Sequence, residues 1–244
     1  MTIYDRIGTT YARYRRPDPR IAGQIDAALG TARRVVDVGA GAGSYEIGDH
    51  TYVAVEPSRV MIDQRARSAP PVVQAVAERL PFPDRSFDAA TAVLTAHHWP
   101  DLTAGIEEVR RVADGPVVIL TWDPDRAADY WLVQEYVPEA EHHDRSLASL
   151  PHIREALGPC RVEPVLVPHD CTDGFFAAYW RRPEAYLDAG ARAAISGLAL
   201  LPPAIIDRMV VELTRDLASG VWEQRHADLL TSDAYDGGYR LVVA

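Results

Sequence analysis

Lysine is absent from the sequence, so arginine supplies all 25 basic residues against 35 acidic ones. The resulting net charge of −10 argues against a nucleic-acid partner, because neutralising phosphate groups requires a basic face. Only two cysteines occur, Cys160 and Cys171, too few for a zinc cluster or a disulfide framework. We therefore expect no metal site and no nucleic-acid surface.

Long apolar runs are also missing. No stretch approaches the roughly 20 residues that a membrane-spanning helix needs, and the first residues, M-T-I-Y-D-R-I-G, lack the apolar core of a secretory signal. These absences predict a cytoplasmic protein without a membrane partner. The 244 residues suit one sizeable domain, with or without a lid, as a monomer or homodimer.

The most informative stretch runs from Val35 to Gly43 and reads V-V-D-V-G-A-G-A-G. Its β-branched residues favour a buried strand of a parallel sheet. The glycines that follow permit a tight turn whose backbone can come close to a ligand. Because ligands of open α/β sheets bind at the carboxyl ends of strands, this turn predicts a binding site.

The spacing of the glycines bears on which ligand binds. A dinucleotide fingerprint, G-x-G-x-x-G, needs a third glycine three places after Gly41, where this chain has Ser44. The pattern is instead D-x-G-x-G-x-G, starting at Asp37. Glu56 ends the next predicted strand, and a carboxylate there accepts hydrogen bonds from both hydroxyls of a ribose and repels a 2′-phosphate.

A third segment, residues 77–88, reads A-E-R-L-P-F-P-D-R-S-F-D. Together with the glycine turn and the E-P-S sequence at Glu56, it resembles the class I S-adenosylmethionine-dependent methyltransferases, in the small-molecule methyltransferase-domain group (type 11). The resemblance implies S-adenosyl-L-methionine as cofactor and a small-molecule acceptor with an O, N or C nucleophile, for example in secondary metabolism. The family often has an aspartate just before the Ala-Glu pair, where this chain has Val76.

The motifs and the resemblance together predict which residues bind the cofactor. The expected set is Tyr14, Asp37, Gly39, Ala40, Gly41, Gly43, Glu56, Pro57, Met61, Ala77, Glu78, Val93 and Leu94.

His97 and His98 follow the predicted fourth strand and are the candidate catalytic residues. Histidine titrates near neutral pH, so either ring suits a general base for a phenol, enol or amine. The H-H-W-x-D turn recurs in the resembled group across different substrates, so the alternative is that one histidine packs the loop. The pair His142 and His143 is interpreted as solvated polar surface, since no third spaced metal ligand is evident.

The order of the segments predicts an α/β fold. We expect a Rossmann-like, mostly parallel sheet of seven strands with an antiparallel last strand, helices on both faces and a helical cap insertion. The expected divisions are an arm and helix at 1–30 (a lid in the resembled group), a cofactor-binding core at 31–171, an insertion capping the substrate at 172–234, and a last strand at 235–244. The short gap after Gly43 leaves room only for an abbreviated helix or a loop before the second strand.

Three points stay open at the level of sequence. The aromatic cluster from Phe175 to Tyr186 either lines an apolar substrate pocket or holds the insertion to the sheet. The glycine turn also allows a nicotinamide-dependent reductase, although its spacing and residues 77–88 weigh against one. A non-catalytic cofactor-binding protein would have the same motifs.

Overall fold

The chain is described by a computed structural model over residues 11–140 and 150–244. Its strands are β1 Arg34–Val38, β2 Thr51–Val55, β3 Val72–Val73, β4 Ala89–Val93, β5 Val117–Trp122, β6 Arg161–Pro164, β7 Val167–Pro168, β8 Ala234–Tyr235 and β9 Tyr239–Val243. Seven of them form one sheet in the order β3-β2-β1-β4-β5-β9-β6, and β9 is antiparallel to both of its neighbours. The predicted seven-stranded, mostly parallel sheet with an antiparallel last strand is confirmed.

The alternating pattern of residues 161–168 predicts a single strand, and this prediction is wrong in detail. Strand β6 ends at Pro164, and β7 pairs with β8 in a separate two-stranded sheet. Between them, Val165 is buried whereas Leu166 is 48% exposed. The alternation of side chains therefore continues while the backbone leaves the main sheet for a different partner, which periodicity alone cannot reveal.

The helices in the described residues are α1 Tyr11–Tyr14, α2 Pro19–Leu29, α3 Arg59–Ile62, α4 Leu102–Val112, α5 Pro124–Ala127, α6 Trp131–Glu135, α7 Leu150–Leu157, α8 Ala189–Ala193, α9 Ser196–Ala199, α10 Pro203–Ala218, α11 Val221–Arg225 and α12 Ala227–Leu230. Short 3-10 turns cover Ala96–His98 and Pro183–Leu187. None of these helices combines the length and the apolar character that crossing a membrane requires.

Alternating side chains of the strands divide the core into two layers. Val35 of β1 packs in the layer that includes α2, and Val36 packs in the layer that includes α4 and α7. On β5, Leu120 and Ile119 divide between the two layers in the same way. Helices therefore cover both faces of the sheet, as predicted.

Helix α2 begins and ends where local chemistry predicts. The Asp18 carboxylate accepts a hydrogen bond from the backbone N–H of Arg20, and Pro19 occupies the first turn. Gly30, with φ of 59°, ends the helix. Asp18 is fully buried, and its hydrogen bonds with Arg20 and Thr172 lower its pKa to about 2 despite that burial.

Two features determine how the site is built. The connection between β1 and β2 contains no helix among its residues, 39–50, which confirms the abbreviated segment that the short gap predicted. At the other end of the chain, α8 to α12 lie between β7 and β8. The apolar spacing of residues 202–219 predicts a helix, and α10 spans Pro203–Ala218. On its apolar face Met209 and Leu213 are buried, and Ile206, Val210 and Leu217 are partly buried.

Candidate active site

The glycine turn bends directly over the end of β2. The backbone N–H groups of Gly39 and Ala40 both donate to the carbonyl of Val55, at 2.8 and 3.0 Å. Gly39 has φ of 76°, and a Cβ built on it would lie 2.0 Å from Oγ1 of Thr95. A side chain at this position is therefore excluded twice, by the backbone conformation and by the side chain of Thr95.

Glu56 connects the second strand to this turn. Its Oε2 accepts a hydrogen bond from the N–H of Gly41 at 2.9 Å, and its Oε1 accepts one from the N–H of Ser58 at 2.8 Å. The side chain is buried, and it also lines a cavity above the turn. An ionised carboxylate has about four acceptor positions, so a ligand hydroxyl can still be accommodated beside these two bonds.

The cavity above the turn, here called the loop cavity, has a volume of about 540 Å³. This volume lies in the range of small-molecule and cofactor sites. Eleven of the thirteen predicted cofactor residues line it: Asp37, Gly39, Ala40, Gly41, Glu56, Pro57, Met61, Ala77, Glu78, Val93 and Leu94.

Tyr14 and Gly43 are the two predicted residues outside this lining. The Tyr14 hydroxyl donates instead to Asp188 Oδ2 at 3.0 Å, and this bond raises the pKa of the phenol. Tyr11 and Arg15, from the same arm, line the loop cavity in its place. Tyr11 and Tyr14 are three positions apart and so lie near the same face of a helix. The motif alone therefore does not distinguish which of the two rings faces the cavity.

Asp37 lies at the floor of the loop cavity and is buried. Its Oδ1 accepts a hydrogen bond from the Thr91 hydroxyl at 2.9 Å. Burial, followed by the negative charge of Glu46, raises the pKa of this carboxyl to about 7; the Thr91 bond and Arg65 act in the opposite direction. The group can therefore change charge near neutral pH.

His97 and His98 lie in the 3-10 turn after β4, and both line the loop cavity. The two rings are 3.8 Å apart between centroids, and His97 also packs edge-on against Trp122 at 4.1 Å. His97 is buried, whereas His98 is partly exposed. His97 therefore packs against its neighbours and also lines the cavity, so its position agrees with both interpretations of these histidines.

A second, smaller cavity of about 60 Å³ adjoins the first. We call it the aromatic cavity because its walls include Trp122, Tyr130, Phe175, Phe176 and Tyr239. Arg15, Leu94 and His97 line both cavities. Leu94 has φ of 52°, unusual for a residue other than glycine, and such strain often accompanies a functional site. His97 therefore stands at the boundary of two compartments.

The arm and the insertion meet through a buried ionic cluster that the sequence analysis missed. Nε of Arg15 lies 2.6 Å from Oδ1 of Asp173, whose side chain is fully buried. The hydroxyl of Tyr45, from the turn after the glycines, donates to Asp173 Oδ2 at 2.9 Å. Residues from three distant parts of the chain form this cluster, and no local pattern marks it.

The prediction that the chain has no metal site covers the whole sequence, whereas the structure describes only part of it. Over residues 11–140 and 150–244, no group of three or more histidine, cysteine and acidic side chains is arranged to hold a metal ion. His142 and His143 lie outside the described residues, as do residues 1–10 of the predicted arm.

Comparison with known proteins identifies the family of this chain. A family model described as a methyltransferase domain matches residues 36–119, which include the glycine turn, Glu56 and the two histidines. The solved structure of a protein from Anabaena variabilis, assigned as a methyltransferase of an antibiotic biosynthesis pathway, is 33% identical and superposes with a TM-score of 0.88. That match covers 95% of this chain and 98% of the other.

Two curated relatives match over shorter regions. The uncharacterized methyltransferase YcgJ of Bacillus subtilis is 31% identical over 140 residues, which are 50% of this chain and 51% of the relative. A demethylmenaquinone methyltransferase of Mycobacterium (strain KMS) is 34% identical over 131 residues, or 52% and 54% of the two chains. The chain thus spans about half the length of these relatives. With the full-length match to the Anabaena protein, the chain belongs to the class I S-adenosylmethionine-dependent methyltransferases, in the group that carries this methyltransferase domain.

Proposed function

We propose that this protein transfers a methyl group from S-adenosyl-L-methionine to a small-molecule acceptor. The observation that carries the proposal is the pair of adjoining cavities. The loop cavity is built from the residues that the cofactor motifs predict, and the aromatic cavity meets it at Arg15, Leu94 and His97. One compartment can hold a donor and the other an acceptor.

The residues of the loop cavity fit the cofactor. The bare backbone from Gly39 to Ala42 allows close approach, and the Glu56 carboxylate suits ribose hydroxyls. Met61 and Ala77 offer apolar surface for a base, while the acidic side chains of Asp37 and Glu56 suit a molecule that carries positive charge. When bound, S-adenosylmethionine supplies an electrophilic methyl group on a sulfonium.

The walls of the aromatic cavity support a compact, largely apolar acceptor. Aromatic side chains favour flat molecules, and the cavity of about 60 Å³ holds only the reacting part of one unless the insertion moves. The name of the mycobacterial relative refers to demethylmenaquinone, and that of the Anabaena protein to an antibiotic pathway. The first name is in keeping with an aromatic, quinol-like acceptor, and the second with a role in secondary metabolism.

The chemical work of the chain is mainly to position the acceptor, exclude water and remove a proton. His97 lies where the two cavities meet, so an imidazole nitrogen of His97 is the proposed base for the acceptor's hydroxyl, enol or amine. His98, which lines only the loop cavity, is the less favoured candidate.

The same proposal assigns roles to the parts of the chain. Residues 1–30 form a lid, 31–171 the cofactor-binding core, 172–234 the cap over the acceptor, and 235–244 the last strand. Support for the lid comes from the arm, where the N–H of Gly174 donates to the Tyr14 carbonyl and Arg15 pairs with Asp173. Phe175 and Phe176, at the start of the insertion, line the aromatic cavity.

Calorimetric titration tests the proposal. The purified protein is titrated with S-adenosylmethionine and, separately, with NADH, and the titrations are repeated on Glu56→Ala and Glu107→Ala. Glu107 is an exposed carboxylate on α4, so its variant matches the charge change without touching the cavity.

We expect micromolar binding of S-adenosylmethionine to the wild-type protein and to Glu107→Ala, and loss of binding in Glu56→Ala. Binding of NADH alone, or of neither molecule, would refute the proposed function. After binding is established, methyl transfer is sought with phenolic, quinol and enolic acceptors by following formation of S-adenosylhomocysteine.

A further inference from the structure

A buried ion pair, formed by Glu46 and Arg65, packs against the glycine turn. Nη2 of Arg65 lies 2.6 and 2.7 Å from the two carboxylate oxygens of Glu46. The exposed fractions of the two side chains are 4% and 1%. Neither residue lines either cavity, so neither has a direct contact with a ligand there.

Stability alone is a poor explanation for this pair. Removing two charges from water costs about as much as their attraction returns, and an apolar pair of the same size is often as stable. The cost of desolvation affects Glu46, because burial raises the pKa of its carboxyl although the hydrogen bond and the charge of Arg65 act to lower it. Nε of Arg65, moreover, is buried without a hydrogen-bond partner in the described part of the chain.

Arg65 bonds to one carbonyl in the glycine turn and to one carbonyl just before β3. Nη1 of Arg65 donates to the carbonyl of Gly41 at 3.4 Å, and Nη2 donates to the carbonyl of Pro70 at 3.2 Å. A Cβ on Gly43 would lie 2.9 Å from Oε2 of Glu46 and 3.0 Å from Nη1 of Arg65. Gly43, whose φ of 86° itself favours glycine, therefore packs directly against the ion pair, and this predicted cofactor residue does not line the loop cavity.

Gly41 links the pair to the ligand site. Its carbonyl accepts from Arg65 on one side of the turn, and its N–H donates to the cavity-lining carboxylate of Glu56 on the other. A tilt of this residue would move the Glu56 carboxylate. In many nucleotide-binding folds a helix begins directly after the glycine turn and supports it, but residues 39–50 contain no helix here.

We infer that Glu46 and Arg65 are positioning residues that hold the glycine turn, and through Gly41 the Glu56 carboxylate, in the conformation that binds the cofactor. This inference rests on the proposed function, because the turn needs such support only if it binds a ligand. It assigns a purpose in ligand binding to two residues that no part of the cofactor motif includes.

The test combines binding with a measurement on the free protein. Dissociation constants for S-adenosylmethionine are measured by calorimetry for wild type, Glu46→Gln, Arg65→Lys, Arg65→Met and the double variant Glu46→Leu/Arg65→Met. Amide hydrogen exchange over residues 39–44 is measured without ligand. The control is Asp216→Asn, which breaks another buried carboxylate–arginine cluster, between α10 and α11 and remote from the turn.

We expect Kd to rise about tenfold or more in Glu46→Gln and Arg65→Met, as loss of a charge-assisted hydrogen bond implies. Arg65→Lys should have an intermediate effect, because one ammonium group cannot reach Glu46, Gly41 and Pro70 together. Exchange over residues 39–44 should accelerate in the same variants. Asp216→Asn should lose stability yet keep Kd within about twofold and leave that exchange unchanged.

A folded double variant with wild-type Kd and wild-type exchange over residues 39–44 would overturn the inference. If Arg65→Met does not fold, Glu46→Gln and Arg65→Lys decide the question. Failure of the wild-type protein to bind S-adenosylmethionine would count against the proposed function instead, and the exchange measurement would still show whether the pair holds the turn.

Discussion

Asp37 is a buried carboxyl group that lines the loop cavity. Its usual pKa of 3.8 is raised to about 7, first by burial and then by the nearby charge of Glu46. Between these two pH values the folded protein keeps a proton that the unfolded chain releases. The free energy of unfolding that Asp37 contributes is therefore fully present below pH 4 and is lost as pH rises through about 7.

Replacing Asp37 with asparagine should remove this dependence. The amide is neutral at every pH, and its oxygen can still accept the bond from Thr91. We expect the free energy of unfolding of Asp37→Asn, relative to wild type, to increase by an amount on the order of a few kcal/mol between pH 4 and pH 8. Urea unfolding of the ligand-free protein across this range measures the difference.

The control for this experiment is Asp49→Asn, an exposed carboxylate in the same connection. Its unfolding free energy should follow the wild-type pH curve. Parallel curves for Asp37→Asn and wild type would mean that the Asp37 carboxyl is already ionised in the folded protein at pH 4.

His97 lines both cavities, whereas His98 lines only the loop cavity. Substitutions at the two positions can therefore distinguish a general base from a packing residue. If His97 removes the acceptor's proton, His97→Ala should lower kcat by about 10²- to 10⁴-fold, the usual contribution of general-base catalysis. His98→Ala should retain most of the activity. Steady-state kinetics with an acceptor found by screening, at saturating cofactor, gives the comparison.

A packing role for His97 predicts a different result, a loss of stability. His97 is in contact with Trp122, so His97→Ala should also lower thermal stability, which is measured in parallel. His97→Asn keeps polarity and approximate size, and it separates the two effects. An unchanged kcat in both His97 variants would exclude the base role.

At the scale of elements, the arm and the insertion are held together at the mouth of the site. Helix α1 contacts both the core and the insertion, since the N–H of Ala12 donates to Gln64 and the Tyr14 hydroxyl donates to Asp188. Gly190 allows this approach, because a Cβ there would lie 2.2 Å from the Tyr14 hydroxyl. The hydrogen bond between Tyr14 and Asp188 thus joins the arm to the insertion across 174 positions of the chain.

Breaking the Arg15–Asp173 pair should loosen the contact between the arm and the insertion. Arg15→Met leaves a fully buried carboxylate with less compensation, so we expect the free energy of unfolding to fall by about 3 kcal/mol. Because Arg15 lines both cavities, Kd for S-adenosylmethionine should rise as well. Arg16→Met, at an exposed neighbouring position, removes the same charge and should leave both quantities near wild type.

Chemical denaturation and calorimetry measure the two effects on Arg15→Met. A loss of stability with unchanged Kd would restrict the arm to a structural role. If neither the free energy of unfolding nor Kd changes, the hydrogen bond from the Tyr45 hydroxyl is enough to stabilise the buried carboxylate of Asp173.

At the scale of the whole molecule, ligand binding and folding are linked. The loop cavity is formed by segments from the arm to the turn after β4, so the assembled site exists only in the folded chain. A cofactor present at 100 times its Kd should add about 2.7 kcal/mol to the free energy of unfolding. For a chain of this size, that corresponds to an increase in the melting temperature of about 5–10 °C.

Thermal scans with S-adenosylmethionine, with NADH and without ligand measure this increase. Glu107→Ala should gain as much as wild type, and Glu56→Ala should gain almost nothing. An equal increase with NADH would indicate that the cavity does not distinguish the two cofactors.

Several features were determined by the sequence alone because their causes are local. The β-branched run of β1, the cap of α2 at Asp18 and its end at Gly30 depend on the conformational preferences of single residues. The motifs, together with the resemblance to the methyltransferase family, predicted eleven residues that line the loop cavity. The carboxyl ends of parallel strands meet at one edge of the sheet, which brings the glycine turn and Glu56 together there.

Other features were decided only by the tertiary structure, because their partners lie far apart in the chain. Arg65 reaches Glu46 across 19 positions and Arg15 reaches Asp173 across 158, and neither pairing has a periodic signature. The wrong extension of β6 and the position of Tyr14 outside the cavity have the same origin. Local sequence specifies which groups can form a bond, but burial and the packing of distant segments decide which bonds form.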